Sequence, residues 1–264
     1  MRWTVVGAGR AGSAIAAWLA ETAPERLQLI RHGQVAAWRE RLAGEPPGGL
    51  ILAVPDDALA AVARDLAACR PEWRRWIILH LSGARQAAVL APFRRRGAAI
   101  GAMHPMMTFP RLPTPTPQKR GQPPAAPSPQ GVVFTIEGDA RARHSAWRLV
   151  EIWGGRKLAL NARAKSAFHL AATLVGPGAV AQMATAEAIL RHYGLRGEKL
   201  AQARSGLVRL LQATAANLDA MPTAAAWTGP IARGDKATQA LHLRLLPPAL
   251  RRLYRALAQA PKPR

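Results

Sequence analysis

The stretch that decides the fold is Trp3-Thr4-Val5-Val6-Gly7-Ala8-Gly9-Arg10-Ala11-Gly12. Trp3 to Val6 suits a short strand, and a G-x-G-x-x-G turn follows at once. Ala11, Ile15, Trp18 and Leu19 then recur at helical spacing. In a strand, turn and helix of this kind each glycine has a reason. Gly7 permits the tight turn, Gly9 lets the backbone approach a pyrophosphate, and Gly12 lets the helix pack closely on the sheet. The helix that opens at Arg10 and Ala11 offers unpaired N–H groups and a positive dipole end to the phosphates. Gly7, Gly9, Arg10, Ala11 and Gly12 are therefore candidate contacts to a dinucleotide.

The next strand, Leu27 to Ile30, suggests which dinucleotide. An NAD site usually ends this strand with Asp or Glu, which holds the ribose hydroxyls. Here the strand ends in Leu29-Ile30-Arg31-His32. Arg31 can pair with a 2′-phosphate through charge-assisted hydrogen bonds, so NADP is expected in preference to NAD.

Further short apolar runs lie at Leu50 to Val54, Ile77 to Leu81, Ala98 to Met103, Val132 to Ile136 and Lys157 to Leu160. Helical patterns separate several of them. One runs to Ala68 and is expected to be capped by Asp56 and Asp57, and another covers Ala140 to Trp153. Strands alternating with helices predict an α/β fold, a mostly parallel sheet covered on both faces. Ligands of such sheets sit at the carboxyl ends of the strands. Val54 and Pro55 after one strand and Ser82 after the next are thus further candidate cofactor contacts. His104, after a third, is a candidate to donate to a substrate oxygen.

Beyond Asn161 the pattern is helical to the end, over Ala162 to Tyr193, Gly197 to Asp219, Lys236 to Leu246 and Pro248 to Ala258. The predicted organisation is a dinucleotide-binding domain over 1–161 and an all-α domain over 162–264. Phe109 to Gly131 holds eight prolines and cannot be helical. It reads either as a disordered insertion or as a mobile basic flap over a site.

Composition narrows the function classes. Lys and Arg number 37 against 15 Asp and Glu, a formal charge of +22. Such a charge favours anionic ligands and gives salt-dependent attraction to nucleic acid. No recognition motif or aromatic platform accompanies it, so no specific nucleic-acid partner is expected. Cys69 is the one cysteine, which excludes an intrachain disulfide and a cysteine-rich zinc site. No metal site is expected, and a reducing, cytoplasmic location is the simplest reading. Ser166 to Ala186 is long enough to span a bilayer, but His169, Gln182, Thr173, Thr185 and Gly176-Pro177-Gly178 interrupt it. A buried helix, with no membrane partner, is expected there.

The whole pattern resembles the proteins that join a Rossmann-like domain to a helical domain of unknown function, number 2520. The resemblance rests on the glycine turn, Val54-Pro55-Asp56-Asp57-Ala58, His80-Leu81-Ser82-Gly83-Ala84, His104-Pro105-Met106 and Phe168-His169-Leu170-Ala171-Ala172. Its most specific part is Thr228-Gly229-Pro230-Ile231-Ala232-Arg233-Gly234-Asp235, followed by Thr238 and His242. It implies kinship with ketopantoate reductase, pyrroline-5-carboxylate reductase, 6-phosphogluconate dehydrogenase and deazaflavin-dependent NADP reductase. The plan so implied is NADP on the first domain, a small-molecule substrate between domains and a homodimer through the helices. Where relatives carry Ser-Asn beyond the helix histidine, this chain has Gly176-Pro177, and Pro177 is expected to kink the helix.

Candidate chemistry follows the same lines. A carbonyl reductase needs a hydride donor, a proton donor near the forming alkoxide and a group to hold the substrate's anion. Lys165 and His169 are four apart and share a helix face. The resemblance makes Lys165 the candidate proton donor and His169 its catalytic partner. Arg233 is suited to a bidentate substrate carboxylate. Asp235, the third candidate catalytic residue, stands where it orients Arg233 or caps the following helix. The expected activity is NADP-dependent reduction of a small anionic 2-keto acid of the ketopantoate kind. A cyclic imine acid is the second choice of substrate, and a non-catalytic NADP sensor is the reading from another class.

Overall fold

The computed structural model describes residues 1–23, 27–109 and 127–259. Most of the prolines at 109–131 thus lie outside the described residues, and with them the flap reading. The described chain forms two compact units, Met1–Gly176 and Pro177–Arg264.

The first unit is built on a seven-stranded sheet. Its strands are β1 (Trp3–Val6), β2 (Leu27–Ile30), β3 (Gly49–Leu52), β4 (Ile77–His80), β5 (Ala99–Pro105), β6 (Val133–Gly138) and β7 (Arg156–Ala159). The spatial order is β2-β1-β3-β4-β5-β6-β7. All neighbours pair in parallel except β5 and β6. The helices are α1 (Arg10–Thr22), α2 (Val35–Leu42), α3 (Leu59–Ala68), α4 (Ala91–Arg94) and α5 (Ala140–Ile152).

The central strands β1, β3 and β4 bury both faces, and their side chains alternate between two cores, as the pleat requires, whereas the edge strand β7 is mostly exposed. Trp3, Val5, Ile51 and Leu79 pack under α1 and α5 with Trp18, Leu149 and Trp153. Val6, Leu50, Leu52 and Ile78 pack under α2, α3 and α4 with Trp38, Leu66, Trp73 and Phe93. The α/β expectation holds, with one correction of detail: Asp56 and Asp57 do not cap α3. Its N-cap is Ala58, without a side-chain bond, and the Asp57 carboxylate accepts the Ala58 N–H one residue on, within the turn.

The remaining elements are helices α6 (Ala162–His192), α7 (Gly197–Ala220), α8 (Thr223–Ala226), α9 (Gly229–Ala232), α10 (Lys236–Leu245) and α11 (Pro248–Ala258). Helix α6 runs through Pro177 as one element. It is long and apolar enough to cross a membrane by length and composition. The expectation that it is a buried helix fails, since Lys165 is its single buried residue. Leu170, Leu174, Val175 and Val180 stand exposed. No described residue of the second unit is buried, because its helices do not close around a core of their own.

Candidate functional site

The strand order reverses between β1 and β3, and there a crevice of about 470 Å³ opens. Val6, Gly7, Ala8 and Gly9 form one side, Ala53, Val54 and Pro55 the other, and His32, Val35 and Val62 complete it. In doubly wound sheets this switch point is where nucleotides bind.

The three glycines behave differently there. Gly7 has φ +108°, and a Cβ on it would lie 2.3 Å from the Ala53 carbonyl oxygen. A Cβ on Gly12 would lie 2.0 Å from the Gly7 oxygen and 2.9 Å from the Ala53 methyl. Both are glycine because backbone presses on them. A Cβ on Gly9 would meet nothing within 4 Å. Space is therefore kept open above Gly9, beside the start of α1. Gly9 caps that helix without any side-chain bond, and the first turn holds no acid. The N–H groups of Arg10, Ala11 and Gly12 thus keep an anion-binding character. This donor set and this open cradle fit a pyrophosphate. Arg31 follows β2, is exposed, and precedes the His32 that lines the crevice.

The sequence did not single out His32, Val35 or Val62. The first closes the crevice from a 3₁₀ turn, His32–Gln34, that no periodicity announces.

A second cluster lies at the carboxyl ends of β4 and β5, within the same unit. His80 is fully buried, its Nδ1 accepts the Ser82 N–H at 3.1 Å, and its Nε2 faces the Gln86 carbonyl at 3.3 Å. That pattern fixes the neutral tautomer with hydrogen on Nε2. Burial, reinforced by the Lys165 charge, pushes its pKa down to about 3. His104 donates from Nδ1 to the Leu81 carbonyl at 2.9 Å. Burial lowers its pKa as well, against a smaller opposing effect of that bond.

Neutral His104 therefore presents a lone pair at Nε2. The expected donation to a substrate oxygen would require the imidazolium form, because Nδ1 already spends its proton on Leu81. Its ring meets the His169 ring edge-on, with centroids 5.5 Å apart and planes at 80°. Both nitrogens crowd Gly83, since a Cβ there would lie 2.4 Å from His169 Nδ1 and 2.7 Å from His104 Nε2. His169 Nδ1 is buried without a partner among the described residues.

Lys165 is not the surface lysine that its residue type would suggest. Its side chain is 2 % exposed and pairs with Glu137 at 3.1 Å. Its amine also donates to the Arg85 carbonyl. Burial lowers its pKa, and the Glu137 charge works against that shift. Sequence reasoning missed Glu137, although it is the first carboxylate after Glu72 along the chain. Ser82 does not line the crevice; its Oγ accepts the Arg85 N–H at 2.9 Å.

Arg233 and Asp235 belong to the second unit. Asp235 caps α10, accepting the Thr238 N–H at 3.0 Å and the Thr238 hydroxyl at 2.6 Å. These bonds hold its carboxyl below the usual carboxylate range. Of the two roles open to Asp235, the capping one is the arrangement observed. The structure thus brings together Gly7, Gly9, Val54 and Pro55 at the crevice, and His104 and His169 at Gly83, with Lys165 on the Arg85 carbonyl two residues further on.

Residues 132–260 match the domain of unknown function DUF2520, and residues 42–105 match a Rossmann-like domain. No curated protein matches the chain. Solved structures share its fold. A proposed NADP oxidoreductase of Bacteroides fragilis is 19 % identical, with a TM-score of 0.72 over 98 % of this chain and 96 % of its own. The reductive aminase of Aspergillus terreus, solved with NADPH and ethyl levulinate, is 18 % identical, with a TM-score of 0.64 over 99 % and 95 %. The pyrroline carboxylate reductase of Plasmodium falciparum, solved with NADP, is 12 % identical, with a TM-score of 0.58 over 98 % and 97 %.

Proposed function

We propose, for a chain that joins a Rossmann-like domain to a DUF2520 domain, an NADP-dependent reductase of a small anionic 2-keto acid. The observation that carries the reading is the crevice at the strand-order switch, with its open space above Gly9 and its bare helix start. The N–H groups of Arg10, Ala11 and Gly12 would hold the pyrophosphate, Arg31 the 2′-phosphate, and Val54 and Pro55 would wall the site. NADPH supplies the hydride when bound. The rings of His104 and His169 close on Gly83, and the substrate would meet them beside it. Lys165 or His169 would provide the proton, and Arg233 is by its residue type the candidate for the carboxylate. The solved relatives that carry NADPH or NADP support the choice of coenzyme.

A second substrate class has an observation in its favour. The free lone pair of His104 suits a substrate that offers an N–H, as a cyclic imine acid does once protonated. Exposed Val180 on α6 and Leu210 and Leu218 on α7, in a unit with no buried residue among those described, support a homodimer through the helices. The reading includes a cytoplasmic location.

The test is NADPH oxidation with a panel of 2-keto acids and cyclic imine acids, comparing wild type with Arg233→Ala. Turnover with a panel member, and a raised KM in the variant, is expected. NADPH binding without turnover of any member would replace the enzyme with a sensor.

A further inference from the structure

The segment from Leu81 to Ala87 is fastened along its length. His104 holds the Leu81 carbonyl, and buried His80 holds the Ser82 N–H and the Gln86 carbonyl. The Ser82 hydroxyl closes on the Arg85 N–H. Lys165 holds the Arg85 carbonyl, and Glu137 accepts the Ala87 N–H at 2.7 Å. One oxygen, Glu137 Oε1, bridges that N–H to the Lys165 amine at 3.1 Å. Gly83 sits in the middle, pressed by His104 and His169.

An amine that delivers protons must reach its substrate. Lys165 is almost wholly covered, its bonds go to protein groups, and its loss of a proton would leave Glu137 without its counter-charge. We propose that Lys165 and Glu137 are positioning residues. Their buried pair locks the segment 82–87, keeps Gly83 beneath the two histidines, and leaves proton delivery to His169. The clamp stands on its own geometry; only the assignment of the proton rests on the reductase reading.

Three measurements test it. In amine acetylation followed by mass spectrometry, Lys165 should react at least about tenfold more slowly than exposed Lys199, and Glu137→Gln should remove most of that protection. Equal rates at the two lysines in the wild type would overturn the proposal.

In amide hydrogen exchange, Glu137→Gln and Lys165→Met should each speed exchange across Arg85 to Ala87, and the double variant should add little to either. Glu137→Gln keeps an oxygen for the Ala87 N–H, so it remains informative if Lys165→Met does not fold. Unchanged exchange in Glu137→Gln would also overturn the proposal.

In the pH–rate profile with an active panel substrate, Glu137→Gln should lower kcat on the order of tenfold and keep the limb of the wild type, whereas His169→Ala should lose that limb. Normal kcat in Glu137→Gln beside an inactive Lys165→Met would return the proton to Lys165. If no substrate turns over while labelling and exchange follow expectation, the clamp stands and the reductase reading falls.

Discussion

Gly9→Ala separates the fold from the ligand site. Gly9 has φ −69° and ψ −174°, an extended conformation open to any residue. An added methyl meets no atom within 4 Å. The weaker cap that alanine makes and the reduced freedom of the unfolded chain nearly cancel, so stability should change by no more than about 0.5 kcal/mol. The same methyl would occupy the space kept for a pyrophosphate. If it displaces the phosphates from two helix-start N–H groups, about 3 kcal/mol is lost, on the order of a hundredfold in Kd.

Gly12→Ala is the control with the opposite signature. Its methyl would lie 2.0 Å from the Gly7 oxygen, where backbone cannot retreat without breaking the turn. It should destabilise the first unit by about 3 kcal/mol or more. The assay is thermal unfolding with and without NADPH, backed by calorimetric titration. A Gly9→Ala protein that melts like the wild type and binds NADPH equally well would mean that the open space holds no phosphate.

Other outcomes follow from the same geometry. Arg31→Asp should abolish the preference for NADPH over NADH by weakening NADPH about tenfold, measured by titration of both coenzymes. His80 titrates at about 3 when folded against 6.5 ordinarily. The unfolded chain therefore takes up a proton that the native one refuses. Stability should be full above pH 6.5 and fall towards pH 3 by about 1.4 kcal/mol per pH unit from this group alone. His80→Asn should make denaturant midpoints fall less steeply over that range; an equal slope would exclude His80 as the cause. Light scattering should return a dimer mass, and a well-folded monomer would oppose the helical interface.

The sheet and the glycine turn were legible because both are local. Short apolar runs locate the strands to within a residue or two, and Gly7, Gly9 and Gly12 state their own backbone demands. Direction was not legible: nothing in Val133–Gly138 tells that β6 runs antiparallel to β5. Helix α2 escaped notice because Arg39, Glu40 and Arg41 blur its apolar face, leaving Trp38 and Leu42 to bury it. At the site, the shared helix face of Lys165 and His169 was legible from their spacing, and the resemblance alone made them candidates. Their setting was not, because Glu137 lies 28 residues from Lys165 and the sheet alone brings them together. The tautomer of His104 likewise depends on a carbonyl 23 residues away.

The most direct measurement is a calorimetric titration of the wild-type protein with NADPH and with NADH. Saturable binding of NADPH, about tenfold tighter than that of NADH, is the predicted result. Failure of both coenzymes to bind at millimolar concentration would contradict it.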